Sequence, residues 1–332
     1  MIKQKHISIV VPCGEVILSS IIGTYKILTA VNGYMIQTGQ SQTPVFDIQL
    51  IGLTNETSLY NGAFTVRPDV SIDDITKTDM IIIPALAGQI PAEVERNKAF
   101  VPWITEHYKK GTEVVSLCTG AFLLASTGLI DGKKCTTHWM AADNFRLMFP
   151  DVELITEKII TDENGIYTSG GAYSFLNMII YLVEKYCGRH VAIFCSKLFE
   201  IEIDRYSQLQ FAIFNGQKEH TDDLVRQAQQ FIEKHYTEKL TVDELAEKFS
   251  ISRRNFERRF KKACGNSPIE YIQRVKIEAA KKSLESTREN INEVMYAVGY
   301  SDSKSFRANF KKNTGLSPIE YKQKYNREMA SA

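Results

Sequence analysis

The sequence predicts two folds in one chain: an α/β domain with a parallel sheet flanked by helices, then an all-α domain with two helix-turn-helix motifs. Short apolar runs alternate with helical patterns over the first two hundred residues. A sixteen-residue phrase then occurs twice, fifty residues apart. The charge also changes along the chain. Residues 1–220 hold 18 Lys and Arg against 23 Asp and Glu, whereas residues 221–332 hold 22 against 16. A basic domain on an acidic body is typical of proteins with a polyanionic partner, and charge alone is equally consistent with a basic surface that only contacts solvent.

Four apolar runs in the first part are typical of buried strands, and helical stretches lie between them. The runs are HISIVVP, FDIQLIG, DMIIIPAL and TEVVSLC, and the clearest helical stretches are residues 15–31 and 92–109. Strands that alternate with helices in this way form a mostly parallel sheet. Ligands of such domains bind at the carboxyl ends of the strands. A binding site is therefore predicted at that edge.

The sharpest candidate site of this domain is the segment TEVVSLCTGAFLLASTGLIDG. A strand ends at Cys118 and a helix begins at Thr119, and a thiol at a helix N-terminus has a lowered pKa. His138 follows twenty residues later in KCTTHW. Cysteine and histidine can act as nucleophile and base. Three interpretations of Cys118 and His138 remain open: a catalytic pair, a ligand pocket, or a buried turn in a dimerisation scaffold.

The repeated phrase is FERRFKKACGNSPIEY at Phe256–Tyr271 and FRANFKKNTGLSPIEY at Phe306–Tyr321, with ten of sixteen positions identical. The two phenylalanines of each copy are four residues apart and share one helix face. Gly265 and Gly315 suit the left-handed residue that follows a helix. The letters SPIE supply a serine cap, a proline at the first helical position and a glutamate at the third. Each copy predicts the end of one helix, a break, and the start of another.

A shorter helix is predicted before each copy. LTVDELAEKFSIS contains a capping box of Thr241 with Glu244, and NINEVMYAVGYSD contains one of Asn290 with Glu293. Two helices joined by a short turn form a helix-turn-helix, whose second helix enters the major groove of DNA. The second turn is one residue longer than the first.

The segment PIEYIQRVKIEAAKKSLES predicts one helix that connects the two units. About 18 residues of helix span about 27 Å. Successive major-groove faces on one side of a duplex are about 34 Å apart. The chain is therefore expected to place two recognition helices on adjacent turns of double-stranded DNA.

The outer faces of both recognition helices are basic. With the phenylalanines turned inward, Arg254 and Arg258 point away from the first core, and Lys304 and Ala308 occupy the matching positions of the second. Arginine contacts guanine edges with two hydrogen bonds, and lysine neutralises phosphates. The candidate DNA-binding residues are Arg253, Arg254, Asn255, Arg258, Lys261, Lys262, Ser303, Lys304, Arg307 and Lys311.

Residues from about 221 to 327 resemble the DNA-binding domain of the AraC family of transcription regulators. The motifs that carry the resemblance are LAEKFSISRRNFERRFKKACGNSPIEYIQRVKIEAAKKSLE and VMYAVGYSDSKSFRANFKKNTGLSPIEY. The resemblance implies sequence-specific binding to double-stranded DNA.

Residues from about 7 to 187 resemble the ThiJ/PfpI branch of the class I glutamine amidotransferase-like superfamily. The resemblance rests on SLCTGAFLLASTGLIDGKKCTTHW and YTSGGAYSFLNMIIYLVEKYCG, and it implies a flavodoxin-like sheet. Cys118 matches the family's cysteine at the strand-to-helix turn, and His138 matches its histidine. The family's glutamate falls near Ser19, and Met140 stands where amidotransferases carry an acid. The catalytic set is thus incomplete, which implies a non-enzymatic pocket formed by Cys118, Thr119, His138 and Ser19.

The pair of domains is similar to the GlxA-type regulators. This similarity implies a transcription regulator whose N-terminal domain senses an amino acid or a small amine and forms a homodimer. We expect a sensor domain at residues 1–188, a helical connection and linker at 189–220, and a DNA-binding domain at 221–332. Within the connection, residues 215–220 are the most linker-like piece. The alternative is a cysteine-dependent hydrolase or amidotransferase-like enzyme fused to a DNA-binding domain.

Composition sets the remaining expectations. No secretory signal or membrane-length apolar run is visible, and the six cysteines are scattered without a CxxC pair. These features predict a cytoplasmic protein with reduced thiols and no membrane partner. The sequence has no glycine-rich phosphate loop and no cluster with metal-ligand spacing, so we expect neither a cofactor nor a metal.

Overall fold

The computed structural model describes residues 3–218 and 220–326. The chain divides into two compact units between Gln208 and Leu209. The N-terminal unit is a largely parallel sheet covered by helices, and the C-terminal unit is helical. The fold class that the sequence predicts is confirmed.

The N-terminal unit contains all the strands of the described residues. They are β1 (Lys5–Val11), β2 (Phe46–Gly52), β3 (Thr57–Leu59), β4 (Phe64–Val66), β5 (Val70–Ser71), β6 (Met80–Ile83), β7 (Glu113–Ser116), β8 (Lys134–Cys135), β9 (Glu153–Leu154), β10 (Ile160–Glu163) and β11 (Ile166–Ser169). One sheet has the order β10-β11-β7-β6-β1-β2-β5. It is parallel except at the β10–β11 edge. The four apolar runs of the sequence form β1, β2, β6 and β7, at the centre of this sheet.

The helices follow in chain order through both units. They are α1 (Leu18–Gln37), α2 (Ile90–Arg96), α3 (Phe100–Lys109), α4 (Ala121–Ala125), α5 (Ala142–Met148), α6 (Ser174–Cys187), α7 (Arg189–Leu198), α8 (Asp223–His235), α9 (Val242–Lys248), α10 (Arg253–Cys264), α11 (Pro268–Ser286), α12 (Ile291–Ala297), α13 (Ser303–Thr314) and α14 (Pro318–Tyr325). One face of the sheet packs against α1, α6 and α7, and the other against α3, α4 and α5. Alternate residues of each strand enter opposite cores, as the period of a strand requires.

The single helix predicted over residues 92–109 is two helices in the structure, α2 and α3. Asn97 lies between them, and its side-chain amide bonds both the N–H and the carbonyl of Cys13. Pro102 lacks an N–H and is tolerated only in the first turn of a helix, so α3 begins just before it. The break thus fixes the loop after β1 against α2.

The segment 189–220, expected to be a connection, is divided between the two units. The buried side chains of α7 belong to the core of the N-terminal unit. Residues 209–218 lie in the C-terminal unit, where Gln217 is buried and its carbonyl accepts a hydrogen bond from Gln229. The piece at 215–218 is therefore docked on a helix, and the change of unit falls earlier, at Gln208.

The C-terminal unit has two apolar cores that share α11. Tyr271 and Ile272, near the start of α11, pack with α8, α9 and α10. Ile277, Ala280 and Leu284, further along, pack with α12, α13 and α14. The capping boxes predicted from the sequence are present, and the glycine after each recognition helix is left-handed as predicted. The second turn is longer than the first by one residue, also as predicted.

Candidate functional sites

Cys118 occupies a strained turn between β7 and α4. Its φ is +54°, a region that non-glycine residues rarely adopt, and such residues cluster at functional sites. Gly120 completes the turn and lies close to the backbone that follows β6, so that a Cβ on Gly120 would lie 2.5 Å from the Pro84 carbonyl oxygen. The turn is therefore held by packing from both sides, which keeps the cysteine in its unusual conformation.

The Cys118 thiol is buried and neutral. Its sulfur receives hydrogen bonds from the backbone N–H groups of Thr119 and Ala172, which favour the thiolate. Burial outweighs them and raises the pKa of the thiol. The Ser169 hydroxyl oxygen accepts from the Cys118 N–H at 3.1 Å, and the Thr137 hydroxyl donates to the Cys118 carbonyl at 2.9 Å. The lowered pKa expected from the helix N-terminus is wrong for this cysteine.

His138 lies against the turn after β11 and is also neutral. Its Nδ1 accepts a hydrogen bond from the Met140 N–H at 3.0 Å, so the ring proton sits on Nε2. A Cβ built on Gly171 would lie 2.7 Å from Cδ2 of the ring, so the ring covers that glycine. Burial lowers the pKa of His138. Within the described residues, no hydrogen bond joins His138 to Cys118.

The remaining pocket candidates take different positions. The Thr119 hydroxyl donates to the Leu86 carbonyl at 2.5 Å, which ties the turn of Cys118 to the loop after β6. Ser19 is half-buried on α1 and makes no side-chain hydrogen bond within the described part of the chain. Its neighbour Ser20 is buried, and the Ala85 N–H donates to its hydroxyl at 3.1 Å. The structure brings Cys118, Thr119 and His138 to one edge of the sheet and turns Ser20 rather than Ser19 toward the loop beside them.

Sequence reasoning missed Gln208 as a part of this site. The side chain is buried, and its carbonyl oxygen accepts from the N–H groups of Gly171 at 3.0 Å and Trp139 at 3.3 Å. Its amide donates to the Thr137 carbonyl at 2.9 Å. All three partners are next to, or in contact with, His138. The glycine pair in YTSGGAY was the one available signal, because a Cβ on Gly170 would lie 2.8 Å from the Gln208 amide nitrogen.

The N-terminal unit also has an apolar groove of about 850 Å³ between α1, β4 and α7. It is lined among others by Ile22, Tyr25, Phe64 and Leu198, all exposed. Nothing in the sequence analysis predicted this groove, because its residues are distant along the chain.

The first recognition helix, α10, presents its basic face as predicted. Phe256 and Phe260 are fully buried, and Arg254, Arg258, Lys261 and Lys262 are exposed. The Arg258 guanidinium donates to the half-buried Asn255 side chain at 2.8 Å, which orients it along the helix. Arg253 is also exposed, but its guanidinium pairs with Asp243 at 2.9 Å and with Glu257 at 3.2 Å.

The second recognition helix, α13, has the same inward face and a less basic outward one. Phe306 and Phe310 are buried. Lys304, Arg307, Ala308 and Lys311 are exposed, and Ser303 is half-buried at the start of the helix. The candidate DNA-contacting residues of both helices are therefore exposed, except for the half-buried Asn255 and Ser303.

Residues 3–218 and 220–326 contain no group of three or more His, Cys, Asp and Glu that could hold a metal ion. No helix in these ranges is both long and apolar enough to cross a membrane.

Family models match both units. Residues 34–185 match the DJ-1/PfpI family, and residues 245–324 match a helix-turn-helix domain. The matches confirm the two resemblances drawn from the motifs. The chain thus combines a DJ-1/PfpI domain with a C-terminal helix-turn-helix domain.

The curated relatives include both regulators and enzymes. The HTH-type transcriptional regulator GbdR of Pseudomonas aeruginosa is 26% identical over 241 residues, which are 71% of this chain and 63% of GbdR. CdhR, an HTH-type transcriptional regulator of the same organism, is 26% identical over 246 residues, 73% of this chain and 71% of CdhR. Isonitrile hydratase of Pseudomonas putida is 26% identical over 141 residues, 42% of this chain and 57% of the enzyme. The chain thus spans less than two thirds of GbdR.

Solved structures match the N-terminal unit. A candidate transcriptional regulator from Vibrio parahaemolyticus superposes with a TM-score of 0.52 at 25% identity, over 59% of this chain and 99% of the other. A ThiJ/PfpI family protein from Pseudomonas syringae has a TM-score of 0.50 at 14% identity, over 61% and 78% of the two chains, which supports the fold alone.

Proposed function

We propose that this chain is a sequence-specific DNA-binding transcription regulator whose N-terminal unit binds a small molecule. The observation that carries the proposal is the pair of recognition helices, each with two phenylalanines buried and a basic face exposed. One helix, α11, contributes to both cores of the C-terminal unit and separates the two helix-turn-helix motifs. The relatives named as HTH-type transcriptional regulators support the same function.

The DNA-binding part of the proposal is tested by selection. The full chain is used to select duplexes from a random pool, and the affinity for a selected duplex is compared with that for a scrambled one. The double variant Arg254→Ala, Arg258→Ala should lose most of this difference. Arg226→Ala is the matched control, because Arg226 is exposed on α8 and pairs with Asp223 outside the recognition helices. Equal affinity of the unmodified chain for both duplexes would contradict sequence-specific binding.

The N-terminal unit is proposed to be a sensor and not an enzyme. A cysteine nucleophile must be a thiolate, and burial raises the pKa of Cys118 and lowers the pKa of His138. Both groups are then neutral near pH 7, and Met140, where the family's amidotransferases carry an acid, is exposed. The similarity to isonitrile hydratase keeps the cysteine-dependent enzyme as the second candidate.

Thiol labelling separates these two candidates. Iodoacetamide should modify the buried Cys118 more slowly than the partly exposed Cys13 of the same molecule between pH 6 and 8, because alkylation requires an accessible thiolate. The Cys118→Ser variant should bind the selected duplex as the unmodified chain does. Faster labelling of Cys118 than of Cys13 at pH 6, or a hydratase or amidase activity that Cys118→Ser abolishes, would favour the enzyme.

The effector is proposed to be an amino acid or a small amine that binds beside Cys118, Thr119 and His138. A thermal-shift screen of amino acids and quaternary amines against the full chain would identify it. The stabilisation by a true effector should disappear in His138→Ala, because that ring covers the turn at Gly171. A compound that stabilises His138→Ala equally binds elsewhere.

A homodimer is also proposed, with cytoplasmic DNA as its target. The support for a dimer is the groove lined by Ile22, Tyr25, Phe64 and Leu198, because exposed apolar patches commonly mark interaction sites. Light scattering should give twice the mass of one chain, and Tyr25→Glu should give the mass of one chain. A single-chain mass for the unmodified protein would contradict the dimer, and an intact Tyr25→Glu dimer would place the interface elsewhere.

A further inference from the structure

We infer that Lys276 is a positioning residue, which fixes the two recognition helices relative to each other and thereby sets the spacing of the DNA segments that they contact. The inference rests on the proposed function, because this spacing matters only if both helices bind DNA. It is carried by contacts inside the C-terminal unit, where the loop after α8 meets the turn of the second helix-turn-helix motif.

The two helix-turn-helix motifs have separate apolar cores. The first motif, formed by α9 and α10, packs with α8 and the start of α11. The second motif, formed by α12 and α13, packs with α14 and the rest of α11. The shared helix sets the distance between the two cores through its length, at about 1.5 Å per residue. Contacts beside the helix are needed to set the angle between the motifs.

The loop after α8, residues 236–238, makes such contacts. The preceding helix belongs to the first core, but the Tyr236 side chain packs against the second core. The Thr237 carbonyl approaches the turn of the second motif so closely that a Cβ on Gly299 would lie 2.1 Å from its oxygen. The loop therefore lies directly against the second motif, and only a glycine in the turn permits this approach.

Lys276, on α11, bonds this loop to the second motif. Its Nζ donates to the Glu238 carbonyl at 3.3 Å and to the Gly299 carbonyl at 2.9 Å, and it lies 5.6 Å from the centroid of the Tyr300 ring. The side chain is buried, and burial lowers the pKa of its amine. Burying an amine costs free energy that an apolar side chain of similar size would not cost. The two carbonyls that the amine joins therefore explain why a lysine lies here.

The second copy of the repeat shows what the lysine adds. Asn326 matches Lys276 fifty residues later, and its amide donates to the carbonyls of Leu284 and Thr287, both at 2.9 Å. These carbonyls lie at the end of α11, as Glu238 lies shortly after the end of α8. Each copy thus has a polar side chain that bonds the end of the preceding helix. The longer lysine of the first copy also reaches a carbonyl of the second motif.

The angle between the motifs decides which base pairs the two recognition helices reach together. One added base pair moves the second contacted segment by about 3.4 Å along the duplex and turns it by about a tenth of a full turn. Two helices held at a fixed angle cannot follow this change, whereas two loosely joined helices can. Lys276 is therefore expected to determine the preference for one spacing without contacting the DNA.

A spacing series of duplexes tests this role with the full chain. A duplex selected by the unmodified chain is footprinted to locate its two protected segments, and one or two base pairs are then inserted between them. The unmodified chain should lose at least about tenfold in affinity with the first insertion, which is a typical cost of one mismatched contact. Lys276→Met keeps an unbranched side chain and loses the donors, so it should lose no more than about threefold.

Lys322→Met is the matched control. Lys322 is as buried as Lys276, and its Nζ donates to the Glu289 carbonyl at 2.6 Å, a bond that lies on the side of the second motif alone. This variant should keep the spacing preference of the unmodified chain, whatever its overall affinity. An unchanged preference in Lys276→Met would overturn the inference, and so would an equal loss of preference in both variants.

Distances between spin labels, measured by electron paramagnetic resonance, test the junction without DNA. The labels are attached to cysteines that replace Glu247 of α9 and Tyr296 of α12, both exposed. The background is Cys13→Ser, because the other five cysteines are buried. The chain with Lys276 should give one narrow distribution of distances. Lys276→Met should give one at least about twofold wider, and Lys322→Met should not.

This measurement keeps the inference separate from the proposed function. A broad distribution in the chain that retains Lys276 would overturn the inference, even if Lys276→Met failed to fold. A narrow distribution in a chain without sequence-specific DNA binding would refute the proposed function and leave the junction between the motifs standing.

Discussion

The two helix-turn-helix units share one arrangement of four helices, including a tyrosine–glutamate hydrogen bond, but they differ in the turn between their second and third helices. In the first unit, the Tyr271 hydroxyl donates to Glu233 on the preceding helix, α8. In the second, the Tyr321 hydroxyl donates to Glu285 on the preceding helix, which is the end of α11. The repeat therefore includes the helix before each unit, although the repeated letters of the sequence begin only at the recognition helices.

The turns are where the two units differ. The first contains Ser250, an exposed residue with a φ of +52°. The second contains Gly299, with a φ of +76°, where a Cβ would lie 2.1 Å from the Thr237 carbonyl oxygen. The Gly299 carbonyl accepts from the buried Lys276 at 2.9 Å, and the same amine donates to the Glu238 carbonyl at 3.3 Å. The turn of the first helix-turn-helix faces solvent. The turn of the second is part of the contact between the two helix-turn-helix motifs, inside the C-terminal unit.

Because of this difference, we expect the two helix-turn-helix units to respond differently to mutation, even at positions where their residues are identical. The second unit depends on contacts at Gly299 and Lys276, and its recognition helix is less basic. The first has an open turn and two exposed arginines, Arg254 and Arg258. Substitutions at matching positions should therefore have unequal effects, in stability at the turns and in DNA recognition on the helices.

The largest effect is expected from Gly299→Ala. A Cβ at this position meets the Thr237 carbonyl and requires an L-residue at positive φ, so we expect a loss of about 3 kcal/mol in the stability of the C-terminal unit. Ser250→Ala is the matched control in the first turn and should cost less than about 0.5 kcal/mol. Hydrogen exchange of the slowest amides of α11 to α14 measures the loss for Gly299→Ala, and exchange of the slowest amides of α9 and α10 measures the loss for Ser250→Ala. Equal losses for the two variants would show that the turns are equivalent.

The second effect concerns base recognition by α10. Arg258→Ala should weaken binding to a selected duplex by about 1–3 kcal/mol and relax the preference at one position of the site. The corresponding residue of α13 is already Ala308, so the first helix is expected to provide more of the specificity. Anisotropy titrations with matched and substituted duplexes measure this. If Arg258→Ala weakened all sequences alike, α10 would contact only the DNA backbone.

The third effect separates charge from recognition. Lys311 is exposed near the end of α13, and Lys311→Ala should weaken selected and scrambled duplexes about equally. The slope of log affinity against log salt should become shallower by about one, because one phosphate contact is lost. Titrations over a salt series measure the slope. A loss confined to the selected duplex would mean that Lys311 reads a base.

Local pattern was enough to predict much of the fold. Four buried strands, the capping boxes and both helix-ending glycines depend on residues within a few positions of one another, and the structure contains all of them. The break at Asn97 could not be predicted, because its cause is a side-chain contact with Cys13, far away along the chain. The short antiparallel edge strand β10 was missed for a similar reason, since ITDE carries no clear alternation.

In the candidate pocket, too, some features could be predicted from local sequence and others depend on contacts between distant residues. Cys118 and His138 stand out by residue type and by motif, and the structure places both at one edge of the sheet. The state of the thiol could not be predicted, because its pKa depends on burial, which the sequence does not display. Gln208 lies seventy residues beyond His138 without a motif, so only the folded chain shows that they share partners.

The smallest effect is expected from Ser250→Gly, which sharpens the contrast between the turns. Glycine adopts positive φ without the strain that a side chain imposes, and it also gains more freedom in the unfolded chain. These terms oppose each other, so we expect a net stabilisation of about 0.5 kcal/mol or less. Ser250 is exposed, and its N–H donates to the Glu247 carbonyl of the same turn at 2.9 Å, a backbone bond that the substitution keeps. Exchange of the slowest amides of α9 and α10 measures the effect. A loss above about 1 kcal/mol would show that the serine side chain holds the first turn, which would then resemble the second.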